Sequence, residues 1–213
     1  MKSAKKTSST SSEQLPSEKS TRQRIISAAR YHFFSFGFRA VTMDDIAAEL
    51  RISKKTLYTH FRNKSELLQA TILDKQQSVE SDLDRITSES SSDFPAGIKQ
   101  FLAKMQQHLG EIRPPFIRDI QRDAPEIFAL VDIRRRDLIH RYFTKILSQG
   151  RKAGIIRKDI PIRLMIEIWL GVVQTMMNPE KLIELDLTPK AGFSAIISVI
   201  LEGLMTPEGR SKL

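Results

Sequence analysis

The chain has 213 residues, of which 40% are hydrophobic, with no cysteine and a formal net charge of +9 at pH 7. That apolar content can fill a buried core, so wholesale disorder is excluded; the lack of thiols excludes disulfide scaffolds, thiolate zinc fingers, iron–sulfur clusters and cysteine nucleophiles. The basic excess points to a polyanionic partner and is uneven: residues 1–70 carry 13 Lys+Arg against 6 Asp+Glu, and residues 71–213 carry 21 against 19.

Residues 1–20 hold nine Ser or Thr and four Lys, with Met1 and Leu15 the only large apolar side chains. Such a segment cannot bury enough surface to offset its ordering entropy and reads as a disordered basic arm. No apolar stretch follows the basic start, so a secretory signal is not indicated. From Thr21 the pattern turns helical: Ile25, Ala28, Ala29, Phe33 and Phe36 form one stripe that ends at Gly37, a natural helix stop. Thr42 with Asp45 fits a capping box ahead of Ile46, Ala47 and Leu50. Ser53 caps a further short helix with Leu57 and Phe61 on one face, and Asn63 with Glu66 caps another before Leu67, Leu68 and Ile72.

Three capped starts within about 25 residues describe a small all-helical domain over residues 21–70. Beyond it, residues 71–213 form a second helical domain. Polar residues 87–93, then 113–115, Ala124-Pro125, residues 159–161, Asn178-Pro179 and Thr188-Pro189 punctuate it. Phe193, Ile196, Ile197, Ile200, Leu201, Leu204 and Met205 repeat at helical spacing, and residues 162–177 are mostly apolar. That last run is broken by Arg163, Glu167 and Gln174 and falls short of the roughly 18 residues a membrane span needs. The expected protein is soluble, cytoplasmic and all-α.

Residues 42–61 read as helix, tight turn, helix. The outward positions of the second helix are Ser53, Lys54, Lys55, Thr56, Tyr58, Thr59 and His60, all hydrogen-bond formers and none acidic, while Leu57 and Phe61 anchor it inward. A helix entering the DNA major groove needs that division, with short polar and basic groups near its N-terminus for base edges and hydroxyls and cations at its flanks for phosphates.

Thr42, Ile46-Ala47, Ser53-Lys54, Thr56-Leu57-Tyr58, His60-Phe61 and Asn63-Lys64-Ser65-Glu66-Leu67-Leu68 together resemble the DNA-binding domain of the TetR family of transcriptional regulators, over about residues 21–73. The resemblance implies that Thr42 caps its helix and touches phosphate, that Lys54, Lys55 and Thr56 lie at the groove, and that Tyr58 bonds a phosphate. It further implies that His60 approaches base or backbone and that Lys64 meets phosphate. Ser53 joins this DNA-facing set. Two positions depart from the family pattern, which commonly has glycine at both. Arg51 stands in the interhelical turn, at a cost on the order of 1 kcal/mol if left-handed, and adds a cation beside the groove. Lys55 hinders close backbone approach but can reach a guanine or a phosphate.

One short recognition helix buries little DNA, so helix-turn-helix proteins usually read two half-sites as dimers. Residues 161–177 and 190–205 are the expected homodimer surface, pairing into a four-helix bundle. The resemblance implies a small-molecule effector, and Phe101, Met105, Phe116, Phe128, Tyr142, Trp169 and Met176 are candidates to line its pocket. The Arg134-Arg135-Arg136 run, between Asp132 and Asp137, reads as a self-neutralising face. His108 and His140 have no metal-ligand spacing; no metal or cofactor is expected. No serine elbow, phosphate loop or metal-ligand helix suggests an enzyme. The expected function is a homodimeric repressor on a palindromic operator, released by a small molecule. The alternative is a helical dimer using its basic end on an anionic membrane or a partner protein.

Overall fold

The computed structural model describes residues 18–89 and 94–211, which hold eleven helices and no β-strand. In order these are α1 (Glu18–Phe36), α2 (Met43–Glu49), α3 (Lys54–His60), α4 (Lys64–Glu89), α5 (Phe94–Gly110), α6 (Pro114–Asp123), α7 (Pro125–Lys152), α8 (Ile162–Met176), α9 (Pro179–Glu184), α10 (Pro189–Leu204) and α11 (Pro207–Arg210). Residues 1–17 of the expected arm lie outside the described residues, while Glu18 to Ser20 form the first turn of α1.

Short-range hydrogen bonds set the first helix boundaries. Gly37, at φ 95°, closes α1 by donating its N–H to the Phe33 carbonyl at 2.9 Å, a left-handed stop that suits glycine. Thr42 Oγ1 accepts from the Asp45 N–H at 3.1 Å, and the Asp45 carboxylate accepts from the Thr42 N–H at 2.7 Å, completing the capping box of α2. Ser53 Oγ accepts from the Thr56 N–H at 3.0 Å, and Asn63 Oδ1 from the Glu66 N–H at 2.8 Å. Each satisfies a donor that a helix start leaves open.

Two apolar cores follow. The first gathers Ile25, Ala29 and Phe33 of α1, Ile46 and Ala47 of α2, Leu57 and Phe61 around α3, and Leu67 and Leu68 of α4. It also takes in Phe116 and Ile120 of α6 and Ile127 of α7, so it is not confined to residues 21–70. The second core joins Leu83 and Ile86 of α4 to α5, α7, α8 and α10. Helix α4 therefore enters both.

The stripe along α1 differs from expectation at its end. Phe36 is 53% exposed beside Tyr31, while Phe34 is buried with its ring 4.7 Å from that of Phe116. Helix α6 packs on that side of α1 and claims Phe34, which a one-helix periodicity does not anticipate. The polar stretch at 87–93 begins later than expected: α4 continues through Glu89, with the Thr87 hydroxyl donating back to the Leu83 carbonyl at 2.8 Å. The carboxy-terminal turn is pinned to the body where Thr206 N–H donates to the Ile155 carbonyl at 2.8 Å.

Candidate nucleic-acid interface

The turn before α3 is built on Arg51, whose φ of 54° is left-handed. This is the departure from glycine that costs on the order of 1 kcal/mol. The Ile52 N–H donates to the Ala47 carbonyl at 3.0 Å across the turn, which fixes the angle between α2 and α3. Fully buried Leu57 and Phe61 then anchor α3, and the Arg22 guanidinium lies 4.9 Å over the Phe61 ring. The face opposite carries Ser53, Lys54, Lys55, Tyr58 and Thr59 exposed, with Thr56 and His60 half-buried.

Several of these groups already have partners. Lys54 Nζ lies 2.6 Å from the Asp44 carboxylate of α2, and that hydrogen bond raises the Lys54 pKa above its ordinary value. Ser53 and Thr56 share a hydroxyl–hydroxyl bond of 2.8 Å, and the Thr59 hydroxyl donates to the Lys55 carbonyl at 2.9 Å. Thr42 is committed to Asp45: its hydroxyl and its N–H each donate to the Asp45 carboxylate at 2.7 Å, and these bonds lower the Asp45 pKa. Arg51, Lys55, Tyr58 and His60 are left without a side-chain hydrogen bond or ion pair among the described residues.

Lys64 is folded back from the start of α4. Its ammonium lies 4.4 Å over the Phe38 ring and donates to the Arg39 carbonyl at 3.4 Å. Burial lowers its pKa, against the opposing fields of Asp119, Asp123 and Asp45. The ring and the carbonyl offset a cation that would otherwise oppose the positive end of the helix dipole.

The seven pocket candidates do not meet in one place. Phe101 and Trp169 line a small apolar cavity of about 20 Å³ between α5, α7, α8 and α10. Tyr142 is buried in the same core, with Met105 and Met176 packed against it. Burial pushes the Tyr142 hydroxyl up to about 12. Phe116 and Phe128 belong instead to the first core, because α6 and the start of α7 lean on α1. Side chains outside the seven pocket candidates complete the cavity wall, among them Phe143, Met165, Ile197 and Leu201. Met165 was accessible as the i, i+4 partner of Trp169; Phe143, next to Tyr142, gave no signal of which ring faces inward.

A charged cluster also joins the two halves. Lys75 and His108 are each only 6% exposed. Lys75 Nζ lies 2.8 Å from His108 Nδ1 and 2.6 Å from Glu111, and Arg30 of α1 reaches Glu111 and Asp74, each at 3.2 Å. His108 Nε2 lies 3.1 Å from Asp82 without the alignment of a hydrogen bond. Burial first, and then the charge of Lys75, lowers the His108 pKa. As expected, Arg135 and Arg136 are neutralised locally, at 2.7 and 3.0 Å from Asp132.

Residues 25–71 match a family described as bacterial regulatory proteins, tetR family. The HTH-type transcriptional regulator SrpR of Pseudomonas putida is 37% identical over 166 residues, covering 74% of this chain and 72% of that protein. The HTH-type regulator TtgW of Pseudomonas putida is 41% identical over 64 residues, and the chain spans about half of its length, 48%. A solved TetR-family transcriptional regulator from Marinobacter aquaeolei shares the fold, with a TM-score of 0.65, 24% identity, and 90% and 94% of the two chains covered.

Proposed function

The chain belongs to the TetR family of DNA-binding transcriptional regulators, and from that premise we propose that it is a homodimeric, cytoplasmic repressor which binds a palindromic operator through α3 and leaves it when a small molecule binds the body. The observation that carries this is the outward face of α3: an exposed row of cations and hydroxyls on a helix anchored from behind by Leu57 and Phe61. In this reading Lys55, Tyr58, His60 and Arg51 make the primary contacts, since among the described residues their side chains have no competing hydrogen bond or ion pair. Lys54 and Lys64 exchange Asp44 and the Phe38 ring for phosphate when DNA arrives, and Thr42, Ser53 and Thr56 hold the helix starts that aim the rest.

Pairing is supported by the outer faces of α8 and α10. Leu164 and Ile168 are about half-exposed, Val199 is 74% exposed, and a Cβ added at Gly171 or Gly203 would meet nothing within 4 Å. Apolar and small residues on two neighbouring helices suit close packing against a second copy. Release follows if the effector prefers a conformation whose two recognition helices do not match the operator spacing.

The test is selection of bound sequences from a random DNA pool, followed by Lys55→Ala and Tyr58→Phe on the selected site. A palindrome is expected, with each substitution weakening binding by about tenfold or more at fixed salt. Enrichment of no sequence, together with equal binding to anionic lipid vesicles, overturns the operator reading.

A further inference from the structure

The charged cluster between the DNA-binding end and the body holds its histidine where one more proton finds no acceptor. Lys75 of α4 and His108 of α5 are both buried, and their nitrogens stand 2.8 Å apart. An ammonium has no lone pair, so Lys75 donates and His108 Nδ1 accepts. The ring is therefore neutral and carries its hydrogen on Nε2, the buried atom that lies 3.1 Å from Asp82 without an aligned bond.

Charged groups reach this ring from three helices. Lys75 and Asp82 face it from α4, Lys104 and Glu111 from the α5 side, and Arg30 of α1 reaches Glu111 at 3.2 Å. Among the described residues, α7 and α10, which also pack on α5, bring it no ion-pair partner. Glu111 is the shared member: its Oε2 takes Lys75 at 2.6 Å and Arg30 at 3.2 Å, while its Oε1 stands 3.9 Å from His108 Nδ1. Just beyond it the Arg113 N–H donates to the Phe34 carbonyl of α1 at 3.0 Å, so α1 meets the body at the chain around Glu111.

Protonation of His108 places a hydrogen on Nδ1, facing the Lys75 ammonium. Two cationic donors at that separation repel, and the carboxylate nearest to the new hydrogen is that of Glu111. A Glu111 drawn to the ring is taken from Arg30. Helix α1 then keeps the Arg30 bridge to Asp74 at 3.2 Å but loses its charged link to the end of α5.

We propose that this cluster is a proton-operated joint: acid charges His108, transfers Glu111 from Arg30 to the ring, and loosens α1 from the body so that operator affinity falls. The inference rests on the operator-binding function proposed above and adds a regulatory input to it. A dimer that reads two half-sites needs both recognition helices at a fixed spacing, and a loosened joint must be ordered again on the DNA, which subtracts from affinity. Burial first, and then the charge of Lys75, holds the His108 pKa below its ordinary 6.5 while the joint is closed. Release restores basicity to the ring, so the open joint binds the proton more tightly and is favoured as pH falls below 6.5.

The test measures operator affinity of the full chain on the selected palindrome from about pH 7.5 to about pH 5 at fixed salt, beside His108→Gln, whose amide oxygen accepts from Lys75 throughout. The two proteins are expected to bind alike at the neutral end. At the acid end the native chain should lose about fivefold or more relative to the variant, a ratio in which titration of every other group cancels. Lys75→Met removes the opposing cation and should move the midpoint of the loss to higher pH, with the His108 ring resonances, followed by NMR, moving alongside. A histidine that only fills space gives neither shift. The lysine variant also stands as the test should His108→Gln lose its helical circular dichroism. A constant ratio of native to His108→Gln affinity, or a midpoint that Lys75→Met leaves in place or lowers, overturns the inference. A chain that selects no operator even at the neutral end overturns the regulator function itself, and the joint's role falls with it.

Discussion

Replacing Glu111 by glutamine removes one charge from a cluster in which the partners are unequally buried, and that inequality sets the cost. The Lys75 side chain is 7% exposed and that of Glu111 31% exposed. After Glu111→Gln the Lys75 ammonium keeps His108 Nδ1 at 2.8 Å, the amide oxygen of the new side chain and the field of Asp82, but loses the carboxylate it shares with Arg30. Breaking a fully buried pair costs about 3–5 kcal/mol. Water reaches the Glu111 side, and Lys75, its pKa already lowered by burial, can shed its proton, so about 2–3 kcal/mol is expected. Lys75→Met leaves the opposite orphan: Glu111 retains Arg30 at 3.2 Å and solvent, for a cost of about 1 kcal/mol or less. The double variant should then resemble Lys75→Met alone, giving a coupling of about 2 kcal/mol. Urea unfolding at fixed protein concentration, followed by Trp169 emission and by circular dichroism, measures all four corners of the cycle. Equal costs for the two single variants, or additive effects, would refute the assignment of Lys75 as the buried member whose charge depends on Glu111.

Three further outcomes are expected. His108 is neutral in the fold with a lowered pKa, so the stability this contributes is present above the ordinary value of 6.5 and lost as pH falls from there through the folded-state pKa; His108→Gln should flatten the loss below pH 6.5, and an unchanged slope would count against it. Arg51→Gly should stabilise the chain by about 0.5–1 kcal/mol, because φ 54° is free for glycine, while lowering the salt dependence of operator binding; a drop in melting temperature would contradict the strain assigned to the turn. Gly150→Ala should destabilise by about 1–3 kcal/mol despite the gain in helix propensity, since its Cβ would sit 2.5 Å from Ile156 and 2.6 Å from Phe94. Denaturant midpoints settle it, and a neutral or stabilising result would show that the Phe94 ring moves aside.

What could be read from the sequence was what the chain settles within three or four residues. The caps at Thr42, Ser53 and Asn63 depend on hydrogen bonds to residues three positions on, and Leu57 and Phe61 share a face by helix geometry alone. The outward row on α3 was legible for the same reason. Contacts between distant segments were not. Lys54 carries a signal for DNA but none for Asp44, which only the angle at Arg51 brings to it. Lys75 looks like a surface lysine in its own helix; its burial depends on His108 and Glu111, 33 and 36 residues away. The pocket candidates were chosen by residue type, which identifies apolar side chains without saying which core receives them, so Phe116 and Phe128 were grouped with Trp169 although they pack on α1. Binding contacts and pocket alike depend on placement as much as on composition.

The packing of α6 on α1 bears on how regulators of this kind can be recombined. A chimera that transplants the DNA-reading end by cutting within α4 would leave behind Phe116 and Ile120, and with them the neighbour of Phe34. It would also sever two hydrogen bonds: the Asp119 carboxylate accepts the Arg39 N–H at 2.8 Å, and the Phe34 carbonyl accepts that of Arg113 at 3.0 Å. The exchangeable unit is therefore discontinuous in sequence, α1 to the first half of α4 together with residues 113–127. A graft carrying both pieces should keep the donor's operator preference while answering to the recipient's ligand.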